Sequence, residues 1–148
     1  MAGIELRHKL EVNADPLTVY KAIASQTGQA SWWTPDCSVE ETVGSIAQFW
    51  FYERQFSFSM RIEALDPGKR VEWRCVSEND EWTDTTISFE LTPKDGKTIV
   101  RLTHSGWRAV TDYQAGCNYT WSQILGRMKG YVESGKPNPY FTRSGMSV

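Results

Sequence analysis

The strongest constraint on the fold is a change of hydrophobic period within the last third of the chain. Up to residue 105 apolar positions alternate, with Val100, Leu102 and His104 on one face of a strand. After a short connection the apolar spacing becomes helical, at Trp121, Ile124, Leu125, Met128 and Val132. A sheet that one long helix completes does not fill its own interior, so we expect a pocket between them.

The first forty residues predict one strand and two short helices. Residues 4–12 alternate strictly between apolar and charged side chains, which indicates a half-buried strand. Asp15 and Pro16 are typical of a helix start, and this helix should run to about Gln26. A second short helix is predicted over residues 30–33.

The middle of the chain predicts a meander of strands. Turn signals recur at intervals of roughly 8 to 12 residues, which is typical of one antiparallel sheet. A short strand is expected over residues 39–43. Gly135 is expected to end the long helix, and residues 136–148 should form a tail in which little besides Tyr140 and Phe141 provides order. Residues 1–148 are expected to form a single domain.

Composition excludes several classes of protein. The chain has 148 residues and a net charge of −2, and its scattered basic residues argue against a nucleic-acid partner. We expect no membrane span, because no segment approaches the roughly 20 apolar residues that one requires. The N-terminal residues lack the apolar core of a signal peptide, so we expect a cytoplasmic protein. Cys37, Cys75 and Cys117 include no CxxC pair and are expected to be free thiols.

The sequence contains no metal, cofactor or nucleophile motif. Two histidines cannot themselves form a structural zinc site, and no glutamate or cysteine lies at a spacing that would complete one. Neither a Gly-rich phosphate loop nor a GxSxG motif occurs. We therefore expect no metal and no cofactor, and we assign no catalytic residue.

Four short segments, in this order, resemble a known family. They are Trp-Trp at 32–33, Asp-Pro-Gly-Lys-Arg-Val at 66–71, Thr-His-Ser-Gly-Trp at 103–107 and Tyr-Val-Glu-Ser-Gly-Lys-Pro at 131–137. Their succession resembles the bacterial branch of the heat-shock-chaperone ATPase activator family. That branch belongs to the START-like, birch-pollen-allergen-like superfamily, also called SRPBCC.

The resemblance implies an α+β helix-grip fold, in which a curved antiparallel sheet wraps around a long C-terminal helix across a cavity. The two short helices would follow the first strand, and the whole chain would be one START-like domain. Members of the superfamily carry lipids, sterols, polyketides or plant hormones, and some are cyclases or aromatase-like enzymes. The eukaryotic activator binds the chaperone and stimulates its ATPase, and it has a separate N-terminal domain.

His104 is the first candidate for a functional side chain, because it lies on the apolar face of its strand. It is either a core histidine bonded to a carbonyl or a hydroxyl, or a polar contact of the pocket; burial would lower its pKa. His8 lies on the apolar face of the first strand in the same way. The first and last strands are neighbours in this fold, so both rings can face the same interior.

Large side chains on predicted inward faces are expected to line the pocket. Trp33 lies at the end of a predicted element, where it would close the mouth of the pocket. The alternation of residues along the strand predicts that Trp82 faces outward. Flat apolar side chains with single polar groups suit a hydrophobic ligand that contains a ring. The predicted ligand-binding residues are His104, Trp73, Met60, Phe58, Ile87, Trp121, Tyr119 and His8.

Three functions remain open from the sequence. The first is binding of a small hydrophobic or aromatic ligand, oriented by His104 and Tyr119. The second is a cyclase or dehydratase that uses the same cavity with His104 as general acid or base. The third is a co-regulator that interacts with a chaperone through its surface, for which no motif provides support. A homodimer is compatible with each of them.

Overall fold

Alternating apolar positions give each strand one buried face, and the strands pair through their edges into one sheet. The computed structural model describes residues 3–146. In chain order the elements are β1 (Ile4–Val12), α1 (Pro16–Ala24), α2 (Gln26–Trp32), β2 (Cys37–Ser38), β3 (Ile46–Phe51), β4 (Phe56–Asp66), β5 (Arg70–Cys75), β6 (Thr86–Lys94), β7 (Lys97–Trp107) and α3 (Asp112–Ser134).

The sheet has the strand order β1-β7-β6-β5-β4-β3-β2, and every neighbouring pair is antiparallel. The predicted arrangement of one antiparallel sheet, two short helices after the first strand and a long C-terminal helix is confirmed. In the β1–β7 register His8 lies opposite Leu102 and His104 lies opposite Leu6. Both imidazoles therefore occupy the same face of the sheet, as predicted.

Helix α3 carries the predicted apolar stripe and has a cap at each end. The side chain of Thr111 accepts a hydrogen bond from the backbone N–H of Gln114 at 3.1 Å. Gly135 ends the helix with a φ of 75°, a conformation that glycine adopts without strain. The stripe is buried against the sheet and the short helices at Trp121, Ile124, Leu125 and Met128.

The boundary between the two short helices differs from the prediction. The first helix ends at Ala24, because Ser25 caps both helices and accepts a hydrogen bond from the N–H of Gly28 at 2.9 Å. Helix α2 therefore begins at Gln26, earlier than predicted. Gly28 lies inside it, where a Cβ atom would come within 2.1 Å of the carbonyl oxygen of Ala22. Only glycine allows this close approach of the two helices.

The strand predicted over residues 39–43 is wrong. Strand β2 contains only Cys37 and Ser38, and the following residues form a turn. The hydroxyl of Ser45 contacts the carbonyl oxygens of Glu40 and Thr42 at 2.8 and 2.7 Å. Such local bonds from a serine side chain compete with strand pairing.

The C-terminal tail is more ordered than predicted. Backbone N–H groups of Asn138, Tyr140 and Phe141 donate to carbonyl oxygens at the end of α2, at 2.9, 3.1 and 2.9 Å. The carboxylate of Asp36 pairs with Arg143 at 3.4 Å and with Arg54 at 3.0 Å. The tail is thereby held against α2 and against the turn between β3 and β4.

Candidate functional site

A cavity of about 460 Å³ lies at one end of the sheet, partly open to solvent. Its walls come from the first half of α3, the end of β3, the start of β4, the loop 76–85 between β5 and β6, and the tail. The aromatic side chains that form most of the wall are Trp33, Phe51, Phe56, Phe58, Trp82, Trp121 and Phe141.

Trp82 is the central aromatic side chain of this wall. Its ring stacks on Phe58 at 3.9 Å between centroids and 13° between planes. It is also nearly parallel to Trp121 at 6.0 Å and to Trp33 at 6.5 Å. These side chains are at most 5% exposed. The cavity therefore presents a rigid, flat, apolar surface.

The prediction that Trp82 faces outward is wrong. The alternation of inward and outward side chains holds only within a strand, and Trp82 lies in the loop 76–85, after the end of β5. The backbone N–H of Trp82 donates to Asp80 Oδ1 at 2.8 Å, and its carbonyl accepts from the N–H of Thr85 at 2.8 Å. This turn directs the indole ring inward. Trp33, expected at the pocket mouth, is 1% exposed and forms part of the inner wall.

Tyr113 and Cys117 of α3 line the cavity one helical turn apart. Cys117 Sγ accepts a hydrogen bond from Trp82 Nε1 at 3.4 Å, and the side chain of Tyr113 is also bonded to it. Removal from water raises the pKa of the Cys117 thiol and of the Tyr113 hydroxyl. Both groups therefore keep their protons at neutral pH, when the thiol is a weak nucleophile.

Asp80 is the only charged residue among those of the described chain that line the cavity. Its Oδ1 atom accepts from the N–H of Trp82, and its own N–H donates to the hydroxyl of Thr83 at 3.1 Å. The carboxylate is thereby fixed by the turn that orients the indole ring. One short loop therefore positions both the carboxylate of Asp80 and the indole ring of Trp82 in the cavity wall.

His104 lies behind the cavity wall and makes hydrogen bonds through both ring nitrogens. Its Nδ1 accepts from Trp121 Nε1 at 3.1 Å, so the proton of the neutral ring is on Nε2. Nε2 donates to Thr85 Oγ1 at 2.8 Å, and that hydroxyl donates to the carbonyl of Trp82 at 2.6 Å. The ring is fully buried, and burial lowers its pKa to about 3.

The predicted site residues separate into three groups. Phe58 and Trp121 line the cavity. His104, Met60, Trp73 and Ile87 are at most 2% exposed and are not among its lining residues, because they fill the middle of the sheet face. The expectation that these four line the cavity is therefore wrong.

The remaining two predicted residues lie outside the cavity as well. Tyr119 is 69% exposed, since it points away from the sheet on the solvent side of α3, and its predicted position in the pocket is wrong. His8 is half-buried on the edge strand β1, which β7, β6, β5 and β4 separate from β3, and it does not line the cavity. Burial lowers the pKa of His8, while a hydrogen bond from its ring to Asn118 raises it.

Several cavity residues were missed because they lie in the loop and the tail. Asp80 and Phe141 belong to segments without periodicity, so no pattern indicated their direction. The helical residues did carry a signal: Tyr113, Cys117 and Thr120 continue the spacing of Trp121 toward the helix start. This extension of the apolar stripe by polar residues marks the part of α3 that faces the cavity.

The seven-stranded antiparallel sheet, the long C-terminal helix and the cavity between them define a helix-grip protein of the SRPBCC superfamily. The family model described as Activator of Hsp90 ATPase homolog 1-like protein matches residues 13–133. The chain belongs to this family, as its sequence segments indicated.

Solved structures extend the likeness over most of the chain. The Aha1 dimer from Colwellia psychrerythraea is 33% identical, with a TM-score of 0.82 over 90% of this chain and 98% of that one. DynU16, from the dynemicin biosynthetic locus, is 21% identical, with a TM-score of 0.78 over 94% of this chain and 51% of that one. A Mesorhizobium loti protein is 16% identical, covering 86% and 95%, with a TM-score of 0.76. The last two show the fold alone. No curated protein matches.

Two further properties of residues 3–146 concern membranes and metal ions. None of the helices there is both long and apolar enough to cross a membrane. Within the same residues no three His, Cys, Asp or Glu side chains are grouped so that they could hold a metal ion.

Proposed function

We propose that the cavity between the sheet and α3 binds a small hydrophobic molecule that contains an aromatic ring. The observation that carries the proposal is the aromatic wall of Phe58, Trp82, Trp121 and Trp33 around about 460 Å³ of space. This volume lies within the range of small-molecule sites, which is roughly 300 to 1,000 Å³. An apolar space of this size forfeits dispersion contacts that a ligand would restore.

Binding is favoured over cyclase or dehydratase chemistry by the protonation of the polar groups. Acid/base catalysis needs a group that exchanges its proton near neutral pH within reach of the substrate. Tyr113 and Cys117 keep their protons, and both nitrogens of His104 are engaged behind the wall. Asp80 is then a single carboxylate in the cavity, whereas acid/base catalysis needs more than one oriented group. An open cavity also favours a ligand over the third hypothesis, in which the surface alone contacts a chaperone.

The experiment that tests the proposal is a titration followed by NMR of the indole N–H signals in the nitrogen-labelled chain. The probe is N-phenyl-1-naphthylamine, which is uncharged and has two aromatic ring systems. We expect the signals of Trp82 and Trp121 to shift with probe concentration. The signal of Trp50, which is on the opposite face of β3 from the cavity wall, is the internal control. Saturable binding that leaves Trp82 and Trp121 unchanged would contradict the proposal.

We further propose that the chain forms a homodimer. The support is its similarity to the Colwellia Aha1 dimer, which extends over 98% of that chain. Sedimentation equilibrium at micromolar concentrations should give twice the mass of 16.9 kDa. A monomeric mass at every concentration would contradict this proposal without affecting the cavity.

A further inference from the structure

The charged groups near the cavity indicate which charge its ligand should carry, in addition to the aromatic character that the wall indicates. Asp80 contributes a carboxylate to the wall, and no cationic side chain does so within residues 3–146. The Arg108 guanidinium is nearby, but it donates to the carbonyl oxygens of Thr83 and Asp80 at 2.7 and 2.8 Å and forms no ion pair with the Asp80 carboxylate. Glu81 adds a second negative charge beside it and accepts a hydrogen bond from Thr111 at 2.6 Å.

The Asp80 carboxylate is oriented but not saturated. Oδ1 is held by the N–H of Trp82 at 2.8 Å, and Oδ2 has no hydrogen-bond partner in the described part of the chain. One carboxylate oxygen is thus free to accept a hydrogen bond from a ligand. The bond from the backbone of Trp82 fixes Oδ1, and Asp80 lines the same cavity as the rings of Trp82 and Trp121, so a ligand that packs on the aromatic wall shares this space with the carboxylate.

Two further properties give the cavity a negative potential. The faces of aromatic rings carry partial negative charge, so they attract cations within about 6 Å. Desolvation is the largest cause of the raised pKa values of Tyr113 and Cys117, and the charges of Asp80 and Glu81 raise both further. The carboxylates therefore act on groups inside the cavity.

We infer that the ligand of this cavity is a cationic aromatic molecule, whose rings pack on the tryptophan wall and whose positively charged nitrogen lies beside Asp80. This inference rests on the proposed function and adds the charge of the ligand to it. Anionic molecules such as fatty acids would place their carboxylate against Asp80 without a cation to neutralise either group. The cavity should therefore discriminate by charge between ligands of the same shape.

Three acridines of similar shape test the inference by calorimetric titration of the full chain at pH 7. Acridine is uncharged, 9-aminoacridine is a cation and acridine-9-carboxylate is an anion at this pH. We expect 9-aminoacridine to bind about tenfold more tightly than acridine, and the carboxylate to bind most weakly. Added salt should weaken the binding of the cation and leave that of acridine unchanged.

Two matched variants assign the preference to Asp80. Asp80→Asn keeps an acceptor for the N–H of Trp82 and removes the charge. Glu78→Gln removes the same charge from an exposed position in the same loop, outside the cavity lining. We expect Asp80→Asn to abolish the preference for 9-aminoacridine over acridine and Glu78→Gln to preserve it. If Asp80→Asn does not fold, the salt dependence of 9-aminoacridine binding to the native chain tests the inference instead.

The outcomes separate this inference from the proposed function. Equal binding of the three acridines, or a preference that survives in Asp80→Asn, would overturn the assignment of charge while leaving an aromatic-binding cavity. Failure of all three acridines and of N-phenyl-1-naphthylamine to bind would overturn both.

Discussion

At the scale of single residues, His104 connects β7, α3 and the loop before β6 through its two ring nitrogens. Trp121 donates a hydrogen bond to one nitrogen, and the other nitrogen donates to the hydroxyl of Thr85. That hydroxyl in turn donates to the carbonyl oxygen of Trp82. Both tryptophans in this series of hydrogen bonds, Trp121 and Trp82, line the cavity. The histidine is therefore a positioning residue for the aromatic wall, and its neutral form is part of the folded state.

The low pKa of His104 predicts a loss of stability in mild acid. Its folded pKa of about 3 lies below the ordinary value of 6.5, so the unfolded chain binds the proton more readily. The stabilising contribution is complete above pH 6.5 and is lost as the pH falls toward 3. The slope that this residue contributes should approach about 1.4 kcal/mol per pH unit.

The measurement is the NMR titration of the His104 ring, together with urea unfolding between pH 7 and pH 5. The depressed carboxyl pKa values of Asp36 and Glu133 affect stability mainly below this window, whereas the pKa of His8, which burial also lowers, adds to the slope within it. We expect the ring signals to stay constant across it while the unfolding free energy falls. A His104 titration midpoint near 6.5 would refute the assigned hydrogen bonds.

At the scale of elements, α3 has two functions along one face. Its second half packs Leu125 and Met128 into the core, and its first half faces the cavity with Tyr113 and Cys117. The tail completes the cavity, because Phe141 contacts Phe51 at 4.8 Å between ring centroids. The helix therefore supports the fold at one end and the candidate site at the other.

A charge on the buried stripe of α3 should unfold the chain. Met128 is fully buried, so Met128→Asp should lower the free energy of unfolding by about 3 kcal/mol or more. Ser122→Asp introduces the same side chain on the exposed face of the same helix and should change it by less than about 0.5 kcal/mol. Urea unfolding of both variants checks the helical phase, which similar losses would contradict.

The Asp36 cluster should control the order of the tail. A hydrogen bond from Arg54 is the largest cause that lowers the pKa of Asp36, and Arg143 of the tail pairs with the same carboxylate. Asp36→Asn should therefore raise hydrogen exchange of the tail amides roughly five- to tenfold, while the amides of the central strands keep their rates. Asp84→Asn, which breaks the exposed pair with Arg74, is the control. Unchanged tail exchange in Asp36→Asn would show that the backbone bonds alone hold the tail.

For the whole molecule, the sequence predicted those features of the fold that depend on a regular spacing of apolar residues. The sheet, the two short helices, the phase of α3 and the shared face of His8 and His104 follow from local patterns and one register. The position of the cavity depends on segments without a period. Trp82 turns inward through backbone bonds that no spacing reveals, and Phe141 reaches the wall only because the tail binds α2. The cavity therefore lies at one end of the sheet, beyond the predicted lining of Met60, Trp73 and Ile87.

The space between the sheet and the first half of α3 is the proposed binding site, and two glycines of that helix allow a direct test of it. A Cβ atom at Gly116 or at Gly126 meets no atom within 4 Å, but only Gly116 lines the cavity. Leucine at either position should improve helix propensity by roughly the same amount, up to about 1 kcal/mol. Only at Gly116 would the new side chain occupy the ligand's space.

The decisive measurement is the affinity for N-phenyl-1-naphthylamine in Gly116→Leu and in Gly126→Leu, followed by the fluorescence of the probe. We expect Gly116→Leu to weaken binding at least about tenfold, equivalent to about 1.4 kcal/mol, and Gly126→Leu to bind as the native chain does. Equal affinity in the two variants would place the probe elsewhere and contradict the assignment of this cavity as the binding site.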